Sequence, residues 1–146
     1  MRVDEIGLTV ADELDDATLV ALREAGVTES SLELLKQGDP GALLFSQAVL
    51  TARTLECSLY YLMRTTSERG RPPDDGIRFG HIAYTSRRKE VGLAAERVRD
   101  VLGLSPRDGR RLALGTFEPT VGQITVLETA LLLPPGGLLE GVYDRT

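Results

Sequence analysis

Apolar residues along this chain recur in short groups set off by glycine and proline, and their spacing changes from group to group. Over residues 17–25, Leu19, Val20 and Leu22 fall on one side of a helix, with Asp15 or Asp16 as its cap and Gly26 as its stop. Thr28 is placed to cap a second helix over 29–37, with Leu32, Leu34 and Leu35 as its apolar face and Gly38 behind it. Ahead of both, Val3, Ile6, Leu8 and Val10 outline a short strand or an arm laid on the core. Asp39-Pro40-Gly41 is a turn by composition.

Residues 42–66 admit two local readings. Leu44, Ala48, Leu55, Leu59 and Leu62 recur near helical spacing with no glycine or proline between them, which predicts one long helix. Cys57, Leu59, Tyr61 and Met63 also alternate with their neighbours, which predicts a hairpin of strands 43–51 and 55–66. Propensity does not separate the two. Residues 67–76 form a loop, and 77–84 suit a strand or a helical turn. A helix over 86–102 follows, capped by Ser86, ended by Gly103, with Val91, Ala94, Ala95, Val98, Val101 and Leu102 inward. Its run of Arg87, Arg88, Lys89, Glu96, Arg97, Arg99 and Asp100 reads as a solvated face.

After a turn over 105–109, Arg110, Leu112, Leu114 and Thr116 alternate as in a strand. A loop over 118–122 leads to a β-branched apolar run from Gln123 to Leu133, stopped by Pro134-Pro135. Together they predict a hairpin over 110–133. On its second strand Ile124, Val126, Glu128, Ala130 and Leu132 share a face, with one carboxylate in an apolar row. A buried glutamate is costly unless partnered, so Glu128 either meets Arg110 or Arg111 across the hairpin or belongs to a site. No internal repeat is apparent.

With 146 residues, 42% hydrophobic and 27% charged, the chain reads as one domain over 1–146. Its net charge of −5 argues against nucleic acid as a partner, which calls for a basic surface. Arg107, Arg110 and Arg111 gather at a turn and read as solvated. One histidine, His81, and one cysteine, Cys57, give no metal-ligand spacing, and no glycine-rich phosphate loop occurs, so no metal and no cofactor is expected. The first residues carry acids without an apolar core, and no apolar run reaches the roughly 20 residues of a membrane span, so a cytoplasmic protein without a membrane partner is expected. Carboxylates, arginines, hydroxyls and backbone amides remain. They suit a small carboxylate ligand or substrate.

Three stretches resemble the chorismate lyase (4-hydroxybenzoate synthetase) family and its ligand-binding UTRA relatives. Residues 25–35, AGVTESSLELL, are similar to an early family segment that opens a short helix. Tyr61-Leu62-Met63-Arg64-Thr65-Thr66 is similar to the end of its central strand. Residues 110–134 resemble its last hairpin, and Arg78-Phe79-Gly80-His81-Ile82 a step between. The resemblance implies an α+β fold, an antiparallel sheet with packed helices enclosing a small-ligand pocket, in which pyruvate is removed from chorismate or a related enol-ether carboxylate without a cofactor. It places Arg64 on the substrate carboxylate, Glu128 at the proton transfer, and the backbone near Phe79 and Gly80 on the product. Tyr60 shares the predicted face of Arg64, and His81 lies near the pocket rim. It also requires the hairpin over 42–66. Gln47 stands where the family carries a second arginine, which favours a pocket that binds a small aromatic or carboxylic metabolite without turnover. An all-helical interaction protein, with 42–66 as one helix, is the third reading.

Overall fold

The computed structural model describes residues 14–74 and 76–140. The arm expected over residues 3–10 lies outside them. Helix α1 (Asp16–Ala25) starts where the Asp15 carboxylate accepts the Thr18 N–H and ends at Gly26, whose φ of 103° only glycine adopts at little cost. Thr28 caps α2 (Glu29–Lys36), which buries Ser31, Leu32 and Leu35. Both helices start and stop at the caps and glycines predicted; of the apolar side expected for α1, Leu22 is buried whereas Val20 is exposed. A 3-10 turn over Pro40–Ala42 then leads into α3 (Phe45–Thr54).

Residues 42–66 form neither one long helix nor a hairpin. Helix α3 ends at Leu55, Glu56 takes a φ of 54°, and Ser58 caps a single further turn, α4 (Leu59–Leu62). The buried residues Phe45, Ala48, Val49 and Ala52 keep helical spacing, so the alternation after Cys57 describes a bend and a capped turn rather than a strand.

Strand β1 (Arg78–Phe79) precedes α5 (His81–Val91), α6 (Ala95–Leu102), α7 (Pro106–Leu114) and α8 (Val121–Ala130). The helix expected over 86–102 is two helices. It begins earlier, at His81, and breaks at Gly92, which takes a φ of 72° and closes α5. Strand β2 (Leu139–Glu140) pairs antiparallel with β1, Arg78 opposite Glu140 and Phe79 opposite Leu139. The fold is mostly helical with this small sheet, a loose α+β arrangement.

The hairpin expected over 110–133 is absent, and both of its strands are helices. Ser105 caps α7, with Pro106 at its first position, where a missing N–H costs nothing. Thr120 and Gln123 form a reciprocal capping box at the start of α8. Val121, Ile124, Leu127, Glu128 and Leu131 are buried, a three-and-four spacing, whereas Val126 and Leu132, placed inward by the strand reading, are 43% and 75% exposed. Caps and helical burial outweigh the β-branched composition of this run.

The same series of local conformations occurs twice, so the chain carries a structural repeat that its sequence does not advertise. Gly26-Val27-Thr28 joins α1 to α2, and Gly103-Leu104-Ser105 joins α6 to α7; each has a left-handed glycine, an apolar residue and a hydroxyl cap. Gly38 and Gly115, both left-handed, follow α2 and α7. Glu56 and Leu132, two of the non-glycine residues with positive φ, each stand one place beyond the C-cap of α3 and α8. The units, residues 16–63 and 95–139, meet where Leu44 bridges Thr120 antiparallel. The Phe45 N–H donates to the Pro119 carbonyl and the Val121 N–H to the Leu43 carbonyl, both at 3.0 Å. Matching positions of the two repeats thus exchange equivalent bonds, as about a local two-fold axis.

Candidate functional site

The residues singled out for a carboxylate pocket do not line one shared space. Glu128 is 3% exposed and its Oε2 accepts the N–H groups of Gly136 (2.9 Å) and Leu138 (3.3 Å). The Tyr60 hydroxyl donates to Oε1 at 3.4 Å. Burial pushes the Glu128 carboxyl above the usual range, and the bonds from Leu138, Gly136 and Tyr60 offset part of that. Neither Arg110 nor Arg111 pairs with this carboxylate, which instead holds the loop that follows α8. In the first unit Ser58 accepts the Tyr61 N–H to cap α4; at the corresponding place Pro134 accepts the Gly137 N–H through its carbonyl, and Glu128 reaches from the preceding helix to the flanking Gly136 and Leu138 N–H groups.

Arg64 sits at φ 62°, with its guanidinium 4.3 Å over the Tyr61 ring and Nη1 donating to the Tyr61 carbonyl at 3.0 Å. Gln47 ties α3 to the first interhelical turn: its Oε1 accepts the Thr28 N–H at 2.8 Å and its Nε2 donates to the Gly26 carbonyl at 3.3 Å. The Gly80 N–H donates to the Leu138 carbonyl beside the small sheet. Of the expected site residues, Phe79 and His81 alone line a cavity of about 760 Å³ between the two units. Its apolar wall includes Phe45, Val49, Ile77 and Phe117, and the paired Arg78 and Glu140 stand at its edge. The His81 Nδ1 lies 3.2 Å from the Ala113 carbonyl, which places the ring against α7 when Nδ1 carries the proton. Among the described residues no group of three His, Cys, Asp or Glu is placed to hold a metal ion, and no helix is long and apolar enough to cross a membrane.

A different arrangement lies on the second unit. Helices α6 and α7 are joined by three residues with glycine first, the spacing of a helix–turn–helix. Gly109 lets the helices approach: a Cβ there would stand 2.6 Å from Cγ and Cδ of Arg99 on α6. Leu112 is the fully buried anchor of α7. On the opposite side Arg107, Arg110, Arg111 and Leu114 are all exposed, at the i, i+3, i+4, i+7 positions of one helical stripe. Arg111 is braced, with Nη1 3.5 Å from Asp108 and Nη2 donating to the Thr116 carbonyl at 2.8 Å. Arg107 and Arg110 make no ion pair with another described residue. The sequence carried a signal for this unit, Gly103-Leu104-Ser105-Pro106, a helix stop followed by a cap and a first-turn proline. A strand drawn through Arg110 concealed it.

In comparisons with known proteins, no family model, no curated protein and no solved structure matches the chain.

Proposed function

We propose that the second unit binds double-stranded DNA, with α7 as the helix presented to the major groove. The observation that carries this reading is the exposed stripe of Arg107, Arg110, Arg111 and Leu114 on the second helix of a helix–turn–helix. Arginine forks suit phosphate oxygens and the O6 and N7 edge of guanine, and an exposed leucine suits a thymine methyl. The net charge of −5 argues against DNA only as an average over the chain. Charges beyond a Debye length, about 8 Å at physiological salt, are screened, so the local face governs contact. Fluorescence anisotropy of a labelled 20-base-pair random-sequence duplex tests it. Affinity is expected to fall steeply with salt, with a slope in the log–log plot of about −2 to −3 for three phosphate contacts, shallower by about 1 in Arg110→Ala. A wild-type chain that binds no duplex at low salt overturns the reading.

A second reading rests on the cavity of about 760 Å³, within the size range of small-molecule sites and walled by Phe45, Phe79 and Phe117. It keeps the expected binding of a small aromatic or carboxylic metabolite. Neither Arg64 nor Glu128 lines this cavity, so the reading is one of binding and not of pyruvate release. Thermal unfolding with 4-hydroxybenzoate and related acids checks it: a saturable rise in Tm supports it and flat curves remove it.

A further inference from the structure

We propose that the chain is a fused pair of helix–turn–helix units of which only the second engages DNA, so that one chain occupies a single half-site without two-fold symmetry. This rests on the reading of α7 as a DNA-binding helix.

The repeat fixes which positions correspond. Aligning the cap residues Thr28 and Ser105 sets Ser30 against Arg107, Glu33 against Arg110, Leu34 against Arg111 and Gln37 against Leu114. Three cations on α7 therefore face one anion and no cation on the matching stripe of α2. The charges around α2 are also internally spent: Arg23 holds Glu29 at 2.8 Å, and Lys36 lies 3.8 Å from Glu33. Leu34 packs against the core instead of projecting outward. A phosphate approaching α2 would meet the Glu33 carboxylate where α7 offers Arg110, a repulsive contact in place of a charge-assisted bond.

Two-fold dimers of helix–turn–helix proteins read two half-sites about one helical turn apart, because each subunit offers the same helix. Here the reciprocal bonds of Phe45 with Pro119 and Val121 with Leu43 build a comparable pairing inside one chain. The surfaces nonetheless differ. The first unit retains the internal parts of the motif, Gly26, Thr28 and Leu35, and lacks the outward ones, so its place is to support the second unit across the Leu44–Thr120 junction.

Selection from a random-sequence duplex pool with the full chain, followed by the mass of the complex by light scattering, tests this. A single contiguous block of selected base pairs per bound chain is expected. Ser30→Ala and Glu33→Ala should leave affinity for the selected duplex within about two-fold, while Arg110→Ala lowers it about five-fold or more. Two symmetry-related blocks about 10 base pairs apart at one chain per duplex, or a loss in Glu33→Ala comparable to that in Arg110→Ala, would overturn the single-site assignment while leaving α7 as a DNA-binding helix. If the wild-type chain retains no duplex, both fall together.

Discussion

Gly122, in the first turn of α8, lies against the backbone of Gly41 in the 3-10 turn of the other unit. A Cβ added at Gly122 would stand 2.7 Å from the Gly41 carbonyl oxygen and 3.3 Å from its carbonyl carbon and Cα. The obstacle is main chain, so no side-chain rotation relieves it.

Gly122→Ala is therefore expected to destabilise the protein, although alanine favours a helix by about 1 kcal/mol over glycine. The clash should outweigh that gain and leave a net loss of about 1–3 kcal/mol. Urea unfolding checks it, and a variant as stable as the wild type would show that the two units separate easily at this point.

Gly109 meets a side chain rather than backbone, so its substitution behaves differently. In Gly109→Ala the new methyl displaces the Arg99 stem, and helix propensity offsets part of the cost. Shortening the arginine should remove the conflict, so Arg99→Ala/Gly109→Ala is expected to be more stable than Gly109→Ala by about 1 kcal/mol. A double-mutant cycle by thermal unfolding gives the coupling, and strict additivity would disprove the contact.

Glu128→Ala leaves two buried N–H groups, of Gly136 and Leu138, without their acceptor, and a loss of about 2–4 kcal/mol is expected. Glu128→Gln keeps an acceptor and should cost much less. The pH dependence separates the two forms. Burial raises the folded-state pKa of Glu128, so the folded chain holds that proton more tightly than the unfolded chain. Its contribution is fully present below the ordinary glutamate range and is lost as pH rises through the raised folded value. Asp15 and Glu29, held low by the Thr18 bonds and by Arg23, act in the opposite sense. They cancel in the difference between wild type and Glu128→Gln. That difference should favour the wild type at acid pH and shift toward the variant on alkalinisation; a flat difference would refute it.

The Glu118 carboxylate accepts the Ser46 N–H at 2.7 Å, at the start of α3, where Leu44 offers no side-chain cap. Glu118→Ala should cost about 1 kcal/mol, the usual loss on removing a cap. Glu118→Gln, which keeps the acceptor, should recover most of it in the same denaturation assay.

What the sequence determined by itself is local. Asp15, Gly26, Thr28, Gly38 and Gly103 end or start helices because a hydroxyl or carboxylate satisfies the first N–H groups and glycine alone enters the left-handed region cheaply. The same rules apply at Gly92, where helical apolar spacing pointed instead to one long helix, and at Ser105 and Thr120, where alternation and β-branched residues pointed to a hairpin. Tertiary structure decided between those signals, since Val121, Ile124, Leu127 and Leu131 reach the common core together only along a helix. It also decided what Glu128 faces, a loop whose N–H groups lie eight and ten residues ahead of it. The pairing of two similar units across Leu44 and Thr120 is likewise a tertiary fact, because the residues that differ between them are the ones that carry charge to the surface and the ones that match are few, small and spread along the chain.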